Sequence, residues 1–215
     1  MYNNNCRFNY FIRNMNNLIF LPGASGSTTF WYPLIEKLPQ QYHTKILGYP
    51  GFGDTLESVE VKNFEDLTNY VLNQINDESV IIAQSMGGIF AVAAALQKPQ
   101  LVKGLVLIAT SGGIDLSAFN IQDWREAYRQ AFFKYPDWFV TTNINYEEFL
   151  SDISVETLLI WGDNDPVSPV QVGQYLNQIF KSSTLHIVKG GDHQLAEKYA
   201  DEVAIQIKDY LKKLK

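Results

Sequence analysis

The run Val80-Ile81-Ile82-Ala83-Gln84-Ser85-Met86-Gly87-Gly88 constrains this chain more than any other stretch. An apolar, β-branched segment ends at a small residue. A serine follows, and two glycines lead into the alanine-rich segment Ile89 to Leu96. That order predicts a strand, a very tight turn and a helix. Strand and helix pass so close in such a turn that the residues flanking the serine must be small. The turn presents the serine hydroxyl at the carboxyl end of a sheet, beside a helix N-terminus, as a nucleophile requires. The usual pentad is Gly-x-Ser-x-Gly, and Ala83 stands at its first glycine. A serine that only caps a helix is the competing reading. A base, an acid and an oxyanion hole at matching places decide between the two.

Around this run, apolar strand-like segments alternate with helix-period segments. The alternation predicts an α/β fold: a mostly parallel sheet with helices on both faces. Strands are expected at Leu18–Leu21, Thr44–Leu47, Ser79–Ala83, Gly104–Ala109, Thr157–Trp161 and Ser183–Val188. An antiparallel edge strand is expected at Arg7–Arg13. Helices are expected at Ser27–Leu38, Asn63–Ile75, Met86 to just before Pro99, Pro169–Phe180 and Leu195–Leu214. Ser27 and Asn63 are candidate N-caps, and Asp66 stands where a capping box places its acid. Residues 111–153 break the alternation. This segment is too long for a simple crossover, is rich in aromatic residues, and carries helical spacing from Ile121 to Phe133. An ordinary packed crossover and a small lid over a pocket both fit. The lid is preferred, because long insertions in compact domains are often functional. The expected division is a core of 1–110 and 154–215 with a cap of 111–153.

The bulk properties exclude several function classes. A chain of 215 residues suffices for one α/β domain with a sizeable core. Net charge is −6 with no long basic run, which argues against nucleic-acid binding. The cluster Lys208, Lys212, Lys213 and Lys215 suits the C-terminal end of a helix. No apolar run approaches the length of a membrane span. The asparagine-rich stretch Met1–Asn17 lacks the apolar core of a secretory signal. Cys6 is the only cysteine, so an intrachain disulfide is excluded, and the usage suits a reducing cytoplasm. Its place in a polar N-terminal stretch does not suit a catalytic thiol. Oligomeric state is not legible.

A serine hydroxyl needs a base to take its proton, and the base needs a carboxylate to fix its tautomer. The chain has three histidines. His43 opens a strand away from the expected loops, and His186 lies inside the last strand. His193 follows that strand in Gly190-Gly191-Asp192-His193, at the sheet edge where Ser85 is expected to emerge. His193 is therefore the expected base. Asp163 and Asp165, in the loop Gly162-Asp163-Asn164-Asp165-Pro166, both qualify as the acid. Asp192 and Asp115 are weaker candidates. The N–H of Met86 is the expected first oxyanion donor. The N–H of Ala24, in the glycine-flanked loop after the first core strand, is the second.

Taken in chain order, these pieces resemble the α/β-hydrolase superfamily, from about Leu18 onward. The phrase Trp161-Gly162-Asp163-Asn164-Asp165-Pro166-Val167 is similar to the family's acid loop, whose second aspartate is catalytic, which implies Asp165. Pro50-Gly51-Phe52-Gly53 resembles the family's proline–glycine turn, and 111–153 falls where the family inserts its cap. The chain departs from the pattern in having Pro22 before Gly23, where the family has histidine, and Gly48 where it often has aspartate. The antiparallel strands that begin the fold are mostly missing, and the cap is short. The general layout is similar to that of small carboxylesterases such as those acting in biotin synthesis. The resemblance implies a serine hydrolase of small or medium acyl esters that needs neither metal nor cofactor. Ser25, Trp124, Phe132, Phe133 and Trp138 are the candidate lining residues of an apolar substrate pocket. The same triad also serves thioesterases, carbon–carbon hydrolases and lyases, and the fold includes non-catalytic binding proteins.

Overall fold

A computed structural model describes residues 16–214. The expected strand Arg7–Arg13, and Cys6, lie outside the described residues. Among the described residues, six strands form one sheet: β1 (Asn17–Leu21), β2 (His43–Ile46), β3 (Ser79–Gln84), β4 (Val102–Ile108), β5 (Thr157–Gly162) and β6 (Ser183–Val188). Their order is β2-β1-β3-β4-β5-β6, and every neighbouring pair is parallel. The order reverses between β1 and β3. At such a switch point the loops leaving adjacent strands diverge and open a crevice beyond the carboxyl ends. The loops after β1 and β3 carry Ala24 and Ser85.

Side chains alternate strictly between the two faces, as a two-residue period demands. Leu18, Phe20, Val80, Ile82, Val106, Ile108, Leu158 and Ile160 face one core. That core is closed by α1 (Tyr32–Ile35), α7 (Leu195–Lys198) and α8 (Ala200–Lys213). Ile19, Leu21, Ile81, Ala83, Leu105, Leu107, Leu159 and Trp161 face the other. There α2 (Phe64–Asn73), α3 (Met86–Gln97) and α6 (Val170–Ile179) pack on the sheet. β3 to β5 are covered on both sides, which explains their continuous apolar runs.

Several helices differ from expectation. Ser27–Leu38 is a 3-10 turn (Thr29–Trp31) followed by the single turn of α1. Pro33 has no N–H and fits only a first helical turn, so the α-helix starts at Tyr32. Ser27 is not its cap; its hydroxyl lies 3.1 Å from that of Thr29. Leu195–Leu214 is divided at Tyr199, whose hydroxyl donates to the carbonyl of Gly190 at 2.7 Å. Asn63 does cap α2, its side chain accepting the N–H of Asp66 at 2.8 Å. The Asp66 carboxylate answers at the N–H of Lys62, 2.9 Å away, instead of at Asn63.

Residues 111–153 leave the sheet after β4 and carry α4 (Arg125–Ala131), α5 (Trp138–Thr141) and a 3-10 turn over Glu147–Asp152. The expected helix Ile121–Phe133 is thus confined to α4. The N–H of Tyr146 donates to Gly113 at 2.7 Å and closes the base of the segment. Its aromatic rings stack on two core anchors. Trp138 and Tyr135 lie edge-on to Phe52, and Phe139 stacks on Phe64. Among the described residues no helix is long and apolar enough to cross a membrane.

Candidate active site

Ser85 sits between β3 and α3 with φ 53 and ψ −122, a backbone conformation that a side chain rarely adopts. Such a residue stores on the order of 1–3 kcal/mol of strain and persists only where its surroundings enforce it. Those surroundings are close-packed. A Cβ added at Gly87 would lie 2.3 Å from the carbonyl oxygen of Leu21 and 2.7 Å from that of Pro22. Only glycine lets α3 pass β1 so closely. Ala83 is fully buried in β3 and fits where the usual pentad has glycine. The Thr110 hydroxyl donates to the Ser85 carbonyl at 2.6 Å, and Ser85 N–H donates to Ile108 at 3.1 Å.

His193, in the loop after β6, places its Nε2 3.1 Å from Ser85 Oγ. Its Nδ1 lies 2.7 Å from Asp165 Oδ2. The Asp165 side chain has no solvent exposure. Its other oxygen accepts the N–H groups of Val167 at 2.8 Å and Ser168 at 3.0 Å. The carboxylate is therefore held by two backbone donors and turned toward the imidazole. Asp163 does other work: it accepts the N–H of Gly190 at 2.5 Å and ties the loops after β5 and β6 together. Asp192 pairs with Lys198, Asp115 bonds Ser117, and His186 lies 2.7 Å from Glu202. Of the candidate bases only His193 reaches Ser85, and of the candidate acids only Asp165 bonds the His193 ring.

The N–H of Met86 opens α3, where the helix dipole adds positive potential at Ser85. Ala24 lies in a turn closed by the N–H of Gly26 donating to Gly23 at 3.0 Å. Among the described residues neither the Ala24 nor the Met86 N–H has a partner within the chain. Both residues line a cavity of about 790 Å³ that also holds Ser85 and His193. Its walls are mainly apolar, with Phe64, Ile89, Ile114, Phe119, Phe139 and Ile144 among them.

Of the five candidate lining residues, Ser25, Trp124 and Phe132 line this cavity. Phe133 and Trp138 do not. Phe133 lies beyond the end of α4 and is 77% exposed. Trp138 turns its ring onto Phe52 and Phe64 and anchors the segment instead of facing the cavity. Sequence reasoning missed Gln84 and Tyr128. The Gln84 amide donates to the His193 carbonyl at 2.5 Å and links the serine turn to the histidine loop. A buried amide inside an apolar strand must find a partner, and that was the available signal. Tyr128 bonds across 104 positions in sequence, which nothing local foretells.

A profile of the alpha/beta hydrolase fold family matches residues 16–145, and one described as TAP-like protein matches residues 128–215. Over 96 residues the chain is 32% identical to pimeloyl-acyl-carrier protein methyl ester esterase from Pseudoalteromonas atlantica. That stretch covers 44% of this chain and 37% of the relative. The chain matches little more than a third of the length of the first relatives it resembles. Among solved structures, a thermophilic esterase from Thermogutta terrifontis has a TM-score of 0.77 at 18% identity, covering 92% of this chain and 90% of that one. A meta-cleavage product hydrolase from Pseudomonas fluorescens IP01 has a TM-score of 0.76 at 16% identity, covering 93% and 92%. These two likenesses concern the fold alone. The family profile spans more than half of the sequence and includes the strand–serine–helix turn, and this chain accordingly belongs to the alpha/beta hydrolase fold family.

Proposed function

We propose that this chain is a serine hydrolase that cleaves small or medium acyl esters through Ser85, His193 and Asp165. The observation that carries the reading is the continuous hydrogen-bonded chain from Asp165 through His193 to Ser85 at the edge of an apolar cavity. His193 Nε2 takes the Ser85 proton as Oγ attacks the ester carbonyl. Asp165 holds the proton on Nδ1 and stabilises the imidazolium. The N–H groups of Ala24 and Met86 bind the oxyanion of the tetrahedral intermediate. Backbone donors fixed before the reaction supply the largest single share of such catalysis; losing one typically costs roughly 3 kcal/mol. His193 returns the proton to the leaving alcohol, and Ser85 carries the acyl group. A water, deprotonated by the same imidazole, attacks the acyl-enzyme and releases the acid.

The aromatic and aliphatic walls favour an apolar acyl or alcohol group. Residues 111–153 act as the lid over it. The single cysteine suits a reducing compartment, and the reading places the activity in the cytoplasm. The similarity to a methyl ester esterase from Pseudoalteromonas makes methyl esters the first substrates to try. The test is a panel of p-nitrophenyl and methyl esters of rising chain length, with acyl-thioesters of the same chains beside it. Ester turnover by the wild type, abolished in Ser85→Ala, is expected. Full esterase activity in folded Ser85→Ala would refute the assignment. Turnover of thioesters alone would move the reaction class.

A further inference from the structure

We infer that Tyr128 is a positioning residue that couples the seating of residues 111–153 to the oxyanion loop, so that the loop is held in its working conformation from the lid side. The inference rests on the proposed hydrolase reading. Three consecutive carbonyls surround the Ala24 N–H, and each has a donor. Pro22 accepts the hydroxyl of Tyr49 at 2.9 Å. Gly23 accepts the N–H of Gly26 at 3.0 Å. Ala24 accepts the hydroxyl of Tyr128 at 2.9 Å. The Gly23 carbonyl belongs to the same peptide plane as the Ala24 N–H, and the other two carbonyls fix the planes on either side. Two of the three donors come from the core or the loop itself. Tyr128 alone comes from α4.

The Ala24 carbonyl lies in the central peptide of the turn Gly23–Gly26. Central peptides of four-residue turns flip between two conformers, and the flipped one requires positive φ at the third residue. That residue is Ser25, so the loop favours the present conformer only by the modest cost of a serine at positive φ. A donor on the Ala24 carbonyl adds directly to that preference. Tyr128 is suited to the task. Burial, with Tyr135 nearby, pushes its phenol well above the usual range, so it remains a donor at any working pH. Its ring is clamped by Trp124, Phe132 and Phe139, which leaves the hydroxyl little freedom. A second tie, the N–H of Gln122 donating to Pro166 at 2.8 Å, holds the same segment to the acid loop.

The test separates the oxyanion from the cavity. An alkyl trifluoromethyl ketone traps Ser85 as a tetrahedral oxyanion, and the corresponding secondary alcohol fills the cavity without one. Tyr128→Phe keeps the ring and removes the donor. It is expected to weaken the ketone roughly tenfold, short of the ~10²–10³ for outright loss of an oxyanion donor. The alcohol should bind within about twofold of wild type, and kcat for p-nitrophenyl butyrate should fall with little change in KM. Tyr128→Met, also without a hydroxyl, gives the same readout if Tyr128→Phe does not fold. Tyr175→Phe is the control, because Tyr175 bonds Glu147 of the same segment away from the loop; neither ligand should change. Equal loss of ketone and alcohol, no loss of either, or the same ketone loss in Tyr175→Phe overturns the inference. A wild type that binds ketone no better than alcohol contradicts the hydrolase reading itself.

Discussion

Ser85 is held at positive φ in close-packed surroundings, and its hydroxyl lies 3.1 Å from a histidine that bonds a buried aspartate. The arrangement predicts a specific effect of Asp165→Asn. An asparagine oxygen can still accept the Val167 and Ser168 N–H groups, so the loop should keep its shape. Its amide then faces His193 Nδ1 and forces the wrong tautomer. We expect kcat to fall by about 10⁴ with the melting temperature nearly unchanged, measured by ester turnover and thermal denaturation. At this scale much was legible. Ser85 taken alone reads as well as a helix cap, and it is the position of His193 in the loop after the last strand that favours the nucleophile. Asp163 and Asp165 are equivalent by position, and only the resemblance implies the second. Geometry shows why they differ: Asp163 bonds the backbone at Gly190, and Asp165 faces the imidazole. Gln84 and Tyr128 stayed hidden because their partners are distant in sequence.

The strands were the most legible elements, since a buried parallel strand is a bounded apolar run. β6 spans Ser183–Val188 as expected, and β3 runs one residue further, to Gln84. Helices failed where one residue overrode the periodicity, as Pro33 does before α1. Asn63 is a clear local signal that held. Asn63→Ala should lower stability by about 1 kcal/mol in urea denaturation while ester turnover stays near the wild-type level, because Asn63 caps α2 without itself lining the cavity. The aromatic segment divides into rings that anchor and rings that line, a distinction composition does not carry. Trp138 anchors, Phe133 does neither, and Phe139 does both: it stacks on Phe64 and Trp124 and lines the cavity. Phe139→Ala should therefore raise KM about tenfold for octanoyl esters, the loss of roughly 1–2 kcal/mol of apolar contact, and affect acetyl esters little. Equal effects on both chain lengths would place Phe139 outside the acyl path.

At the scale of the whole molecule, sheet order decides where chemistry can occur. The candidate site draws on the loops after β1, β3, β5 and β6, which meet beyond the carboxyl edge next to the switch point between β1 and β3. No local segment contains all of these residues, so the proposed reactivity at Ser85 belongs only to the folded chain. A fluorophosphonate, followed by mass mapping of the modified residue, reads this most directly. Stoichiometric labelling at Ser85 is expected in the folded protein, with none in Ser85→Ala, strong slowing in His193→Ala, and loss of labelling in urea together with the fold. A folded wild-type protein that stays unlabelled, or that takes the label at another residue, would contradict the proposed role of Ser85.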